Sequence, residues 1–390
     1  MRPLSVVVVV TLLALGPSPV SAAGATWEHW QAVGGVFDVG GPRGDGSLLV
    51  AGSANLYLVD PAGNVTPFAR GPGGYHEDAG AEAYIAVSPG LHVSAASCDF
   101  APDDTFILRE HVPIGITRVD KTGEQTGSFV NLDMPSLNGI AFDTVGSFDH
   151  RLLVTGPVNG KTEVAAIDCT GAVQVLTRTA PVVEGGLAVA PPTFGAFAGA
   201  LIAPDELSGK IYAITVDGAV TMVAKPQLPV GADIGVESVG FVPPGFTGRG
   251  GDVYYADRKT ANNPHPGSDS VLRVSSTDLA AAGVQDGDML VATEGGAALI
   301  AVRCSPACIP TPVVIAPTTA HGEGHIAFTV VKPAPSPTPS PTPKPSPKPS
   351  PSGFSGSGAA IATIAVVVVA IGLAAFAAGL IVGRRRKQPK

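Results

Sequence analysis

Short apolar-small-apolar triplets punctuate the middle of the chain, each introduced by a polar residue two or three positions earlier. They occur in AEAYIAVSPG with Glu82, SLNGIAFD with Asn138, VEGGLAVAPP with Glu184, VESVGFVPPG with Glu237 and HGEGHIAFTV with Glu323. Runs this short, β-branched, bounded by Gly and Pro and lacking a helical period, predict strands and an all-β fold. Downstream of several copies stands a second element, such as GSLLVAG, HRLLVTG, GALIAPD or GGDVYYAD. A third element ends in a turn: LYLVDPAGNV, ITRVDKTGEQ, VAAIDCTGAV and IYAITVDGAV. Asp followed by Gly supplies the positive φ that tight hairpins need. The unit is strand, strand, strand, hairpin, strand, which is the content of one propeller blade.

The marker residues are spaced by 56, 46 and 53 positions up to Glu237, and then by 86 to Glu323. The last gap is long for one blade and short for two. It accommodates a further blade if DSVLRV, GDMLVAT, ALIAVRC and TPVVIAP are shared between neighbours. VGGVFDVGG and GSLLVAG then open the first blade, and HGEGHIAFTV becomes its innermost strand, supplied by the C-terminus to close the ring. The expected architecture is a six-bladed β-propeller, with five or seven blades also compatible with the spacing.

The flanks are of a different kind. Residues 1–25 carry one early Arg, an apolar run from Val6 to Leu15 and small residues near Ala22, the pattern of a secretory signal peptide. Residues 333–358 form a Pro-, Ser- and Thr-rich stalk, with Pro at every second position over most of it, which favours polyproline II; its first twenty residues could reach roughly 60 Å. Ala359 to Val382 is uncharged and almost wholly apolar, long enough to cross ~30 Å of hydrocarbon as a helix, so a transmembrane helix is assigned to 359–383. The basic tail, 384–390, places the C-terminus in the cytoplasm and the ectodomain, 26–332, outside. The expectation is a single-pass protein of the cell membrane displayed on a bacterial surface, of Gram-positive type.

Charge narrows the partners. All 32 acidic residues fall between Glu28 and Glu323, against 16 Lys and Arg over residues 26–332, so the ectodomain carries a net charge near −16. Nucleic acid and anionic lipid are excluded on that balance, leaving a protein, a glycan or a small molecule as the extracellular ligand and the membrane as a partner only through the C-terminal helix. Four cysteines in an exported domain imply disulfides, and the pairing favoured is Cys304 with Cys308 and Cys98 with Cys169. Asn64, in NVT, is a glycosylation acceptor in a host that modifies such sites.

The inner strands of a propeller begin at one mouth of the central channel, so Glu82, Asn138, Glu184, Glu237 and Glu323 are expected to converge there. Carboxylates so gathered either raise one another's pKa values or hold a cation, and hard oxygen donors favour calcium or another divalent ion. His321 and His325, two apart from Glu323 on one strand face, add nitrogen donors suited to a transition metal. His76, Glu77 and Asp78, in GYHEDAGAE, stand on the loop entering the second blade, either at the same rim or as a solvated acidic loop.

On these residues the ectodomain resembles the senescence-marker-protein and gluconolactonase family and the related strictosidine-synthase-like propellers. Glu82, Glu184 and Glu323 stand three before the triplet, as in that family's EGPxW opening. NGIAFD at Asn138 looks like its NGL segment, and Glu237 is similar in placement to its catalytic aspartate. The resemblance implies six blades, one divalent ion held by Glu, Asn and Asp ligands, and hydrolysis of sugar lactones. Carried over, Glu82, Asn138 and Glu237 hold the ion and Glu237 is the general base. The chain departs from the pattern in having no Pro after its Glu-Gly pairs and no Asp-Gly in place of Glu237 and Ser238, and the family's ligand order does not map uniquely onto these blades.

Two functions follow. One is a binding module, with an acidic, calcium-binding mouth and long loops such as DRKTANNPHPGSDS displayed on a stalk. The alternative is a metal-dependent lactonase or esterase. No GxSxG elbow, phosphate loop or HExxH helix occurs in the sequence.

Overall fold

The computed structural model describes residues 24–76, 82–314 and 319–332. The expected signal segment up to residue 23, Glu77 and Asp78, the stalk, the apolar span and the basic tail lie outside them. Among the described residues no helix is long and apolar enough to cross a membrane.

Six four-stranded antiparallel sheets form a six-bladed β-propeller. From the axis outward, blade 1 is Asp38–Gly40, Leu48–Gly52, Asn55–Val59 and Val65–Phe68. Blade 2 is Ile85–Val87, Thr105–Arg109, Gly115–Val119 and Thr126–Asn131, and blade 3 is Gly139–Phe142, Leu152–Val158, Lys161–Ile167 and Val173–Ala180. Blade 4 is Ala188–Val189, Leu201–Asp205, Lys210–Ile214 and Val220–Ala224. Blade 5 is Val236–Phe241, Met289–Thr293, Leu299–Cys304 and Cys308–Val314, and blade 6 is Gly322–Val330, Gly251–Asp257, Ser270–Ser275 and Glu28–Ala32. Each innermost strand packs on the next, and blade 6 returns to blade 1, closing the ring.

The core follows from this stacking. A blade is covered on both faces, so its second strand is apolar throughout rather than alternating; Leu48–Gly52 and Met289–Thr293 are buried at every position. Successive side chains then serve opposite interfaces: Leu48 and Val50 join the cluster between blades 6 and 1, Leu49 and Ala51 the one between blades 1 and 2. Six hydrophobic clusters correspond to six blade interfaces, the most aromatic being Phe100, Phe106 and Phe142 between blades 2 and 3. The outer hairpins of blades 1 to 3 share a device, in which Asp60, Asp120 and Asp168 accept hydrogen bonds from backbone N–H groups four or five residues on. Cys98 pairs with Cys169, tying a blade 2 loop to the blade 3 hairpin, and Cys304 pairs with Cys308 across the blade 5 hairpin.

Blades 5 and 6 are interlaced. After Val236–Phe241 the chain leaves to build Gly251–Asp257 and Ser270–Ser275 in blade 6, and only then returns for the other three strands of blade 5. GGDVYYAD therefore pairs with Gly322–Val330, not with the strand that precedes it in sequence. HGEGHIAFTV is the innermost strand of blade 6, not of blade 1 as its terminal position suggested, and the N-terminal Glu28–Ala32 is the outermost strand of the same blade. Both ends of the domain thus clamp one sheet. The sharing of strands between neighbours accounts for the spacing of 86 residues.

Candidate functional site

Asp38, Tyr84 and His325 directly precede the inner-strand residues Val39, Ile85 and Ile326 of blades 1, 2 and 6, and Asp38 and His325 meet each other to form a polar waist of the channel. The Asp38 carboxylate, 0% exposed, accepts from the backbone N–H of Val39 (2.7 Å), Ile85 (2.7 Å) and His325 (2.6 Å), and meets His325 Nδ1 at 2.8 Å. His325 Nε2 lies 2.7 Å from the carbonyl oxygen of Ile140, so the imidazole bridges blades 6, 1 and 3. Burial alone would lower the His325 pKa, but the adjacent Asp38 charge and these hydrogen bonds raise it. Gly324 permits the approach, because at φ +71° a Cβ there would stand 2.3 Å from Asp38 Oδ1.

Above the waist, where the inner strands begin, a cavity of about 360 Å³ is lined by Glu82, Glu184, Glu206, Asp233, Glu237, Glu294 and Glu323, with Arg258 and His321 as the cationic side chains and Tyr84 at its floor. Arg258 reaches Glu82 and Glu323, each at 3.0 Å, while its guanidinium lies over the Phe37 ring. His321 Nε2 lies 3.0 Å from Glu294 and 3.4 Å from Glu323. Tyr84 donates to Glu237 at 2.7 Å.

Seven carboxyls facing two cations cannot all ionise at ordinary cost. Burial, then the neighbouring acids Glu323 and Glu294, push Glu237 well above the carboxylate range. Burial and the adjoining Glu294 carboxyl push Glu206 up to about 9, and burial carries Glu323 to about 7 against the pull of His321 and Arg258. Glu184 is raised by burial and by Glu82. His321 is raised to about 9: its burial acts in the opposite direction, but hydrogen bonds to Glu294 and Glu323 override it.

Of the residues singled out in the sequence, Glu82, Glu184, Glu237, Glu323 and His321 line this one cavity. Asn138 does not: its Nδ2 donates to the Val183 carbonyl at 2.9 Å and its Oδ1 accepts from Thr155 at 3.0 Å. His325 is held in the waist, and His76 is exposed away from the cavity lining. Glu206, Glu294 and Arg258 were not anticipated, nor were Asp233 and Asp38. The first three share a signal, since each directly follows the second strand of its blade, as Glu110 does in blade 2. In an antiparallel pair the end of the second strand lies beside the start of the first, so both positions open on the same mouth.

No family model matches the chain, and no curated protein matches it in sequence. Solved structures similar to it include a streptogramin B lyase, 13% identical over 78% of this chain and 94% of that one, with a TM-score of 0.41. Virginiamycin B lyase from Staphylococcus aureus is 14% identical over 76% and 92% of the two chains, with a TM-score of 0.40. A protein described as a candidate gluconolactonase is 10% identical over 79% and 90%, with a TM-score of 0.43. The gluconolactonase kind named from the sequence thus recurs among them, while the fold assignment rests on the six sheets themselves.

Proposed function

We propose that this propeller is a recognition module whose acidic mouth takes up a divalent cation and, with the surrounding blade loops, receives an extracellular ligand, glycan or protein. The observation that carries the reading is the gathering, among the described residues, of seven carboxyl groups in one cavity against two cationic side chains, Arg258 and His321. Hydrogen bonds join Glu237 to Tyr84 and Glu206 to Glu294, yet burial and the neighbouring acids still hold Glu184, Glu206 and Glu237 above their ordinary pKa values. Oxygen donors of this density suit calcium or another divalent cation. The leader, stalk and apolar span expected from the sequence would hold the module outside the cell on a membrane anchor.

The hydrolase alternative asks Glu82, Asn138 and Glu237 to share one ion, with Glu237 as base. Against it stand the Asn138 amide, engaged with Val183 and Thr155, and Glu237, 3% exposed and bonded to Tyr84. The test is calorimetric titration of calcium into the ectodomain, residues 26–332, beside a Glu184→Gln variant. Saturable binding weakened by the substitution, with a rise in melting temperature for the parent, is expected. Absence of both heat and thermal shift for every divalent ion tried would refute the reading.

A further inference from the structure

Within the mouth the donors are not evenly spread. Asp233, Glu294 and His321 offer one ligand atom each, two carboxylate oxygens and an imidazole nitrogen, all within 4.8 Å of one another. They come from the segment leading into blade 5, the end of its second strand, and the residue before the inner strand of blade 6. His321 is 1% exposed, and its backbone N–H donates to Asp257 Oδ1 at 2.8 Å, which fixes the strand that carries the imidazole. Beside them Glu206, 8% exposed, lines the same cavity; its carboxyl adjoins Glu294 and the Gly235 backbone, while its Oε1 and the buried Nδ1 of His321 have no hydrogen-bond partner by distance and angle. A buried carboxyl oxygen left in that state is costly unless something occupies the space it faces.

We propose that Asp233, Glu294 and His321, with Glu206 as fourth donor, form a site for a divalent transition cation of the zinc class on the blade 4 to blade 6 side of the mouth. The proposal rests on the reading of the mouth as a cation site and deepens it by naming the ion class. Calcium requires about six to eight oxygen ligands and makes little use of nitrogen. A set of one imidazole and two or three carboxylates is short of that number, and it matches the four-coordinate preference of zinc, whose bonds to His nitrogen and carboxylate oxygen are each about 2.0–2.2 Å. Asp233, Glu294 and His321 already lie within 4.8 Å of one another, so closing these three onto such an ion asks for side-chain rotations, with Glu206 brought in from beside them. The contact of His321 Nε2 with Glu294 at 3.0 Å marks where the ion would enter, replacing the imidazole proton that now joins them. Asp233 is exposed, at φ +62° on the loop before blade 5, and forms the open side through which an ion arrives.

The test uses the metal-free ectodomain, whose ring is closed by its own first and last strands. Zinc and calcium are titrated separately by calorimetry, and cobalt(II) is added as a spectroscopic substitute whose visible absorption reports nitrogen ligation. Zinc is expected to bind at least tenfold more tightly than calcium, and both His321→Asn and Asp233→Asn to weaken zinc by roughly 100-fold. Asp233→Asn is the control for folding, since its exposed side chain can change without disturbing the core, and melting curves verify both variants. Calcium binding that equals or exceeds zinc, unchanged in Asp233→Asn, would overturn this site and leave the broader reading intact. If no cation binds, both fall. A cobalt spectrum unaffected by His321→Asn also overturns the assignment.

Discussion

At one end of the channel the inner strands begin among carboxyls; toward the other the same strands present Val87, Phe142, Val189, Phe241 and Phe328 to a cavity of about 280 Å³. Asp38 and His325 separate the two. The apolar end is what packing demands, because residues that close the ring must bury hydrophobic surface. The waist is polar but paired at every hydrogen-bonding atom of Asp38 and His325 that the channel encloses, so its polarity is structural. The mouth is polar and in mutual conflict, with carboxyls held above their ordinary pKa values. Buried polarity that is satisfied holds a fold together. Buried polarity that remains unsatisfied points to a ligand.

The largest expected effect breaks the comparison at the waist. Asp38→Ala removes the acceptor for three backbone N–H groups and strands the His325 imidazolium, and should cost about 3–5 kcal/mol of unfolding free energy by denaturant titration. A loss under about 1 kcal/mol would mean that the waist is not structural. The pH dependence has a definite sign. The folded His325 pKa lies above its ordinary value of 6.5, so its contribution is complete below that pH and is lost as pH rises through the folded value. The stability gap between the parent and His325→Gln should therefore narrow toward alkaline pH.

A smaller effect of opposite sign is expected at the mouth. Glu206 retains its proton up to about pH 9 in the folded protein, against an ordinary value of 4.5, so the folded state loses stability as pH rises between them. In a chelating buffer, Glu206→Gln should melt above the parent at pH 8 and converge with it near pH 4.5. A variant that melts below the parent at pH 8 would show the carboxyl to be a satisfied structural group, and the contrast between mouth and waist would fail.

The smallest effect belongs to the apolar end. Phe241 is half-buried there, packed edge-on against Phe194 at 4.8 Å between ring centroids. Phe241→Ala should cost about 1–2 kcal/mol and leave cation affinity unchanged. A change in cation titration would show that the two ends communicate through the waist.

Much of this was legible because a propeller repeats. The triplets at Ile85, Ile140, Leu187, Val239 and Ile326 identify five inner strands, and the acid before four of them points to one mouth. Asp38 escaped notice because the residues that follow it, Val39, Gly40 and Gly41, do not form an apolar-small-apolar triplet. Asn138 misled because the position is shared while the chemistry is not: its amide serves the loop before blade 4. Glu206 and Glu294 follow different strands from Glu184 and Glu237, and only antiparallel pairing brings each pair of positions together.

Composition and periodicity alone determined the class of fold, the hairpin turns, the cysteine pairing and the identity of most acids at the mouth, because each depends on local spacing or on a repeat visible along the chain. Tertiary structure decided which blade owns Gly322–Val330, how blades 5 and 6 interlace, and which acids meet a base. Those outcomes depend on pairing between strands separated by up to 245 residues in the chain, as Glu28 is from Arg273 in blade 6. Strand pairing over such distances is selected by the burial of whole faces against neighbouring blades, an energy that no single segment carries.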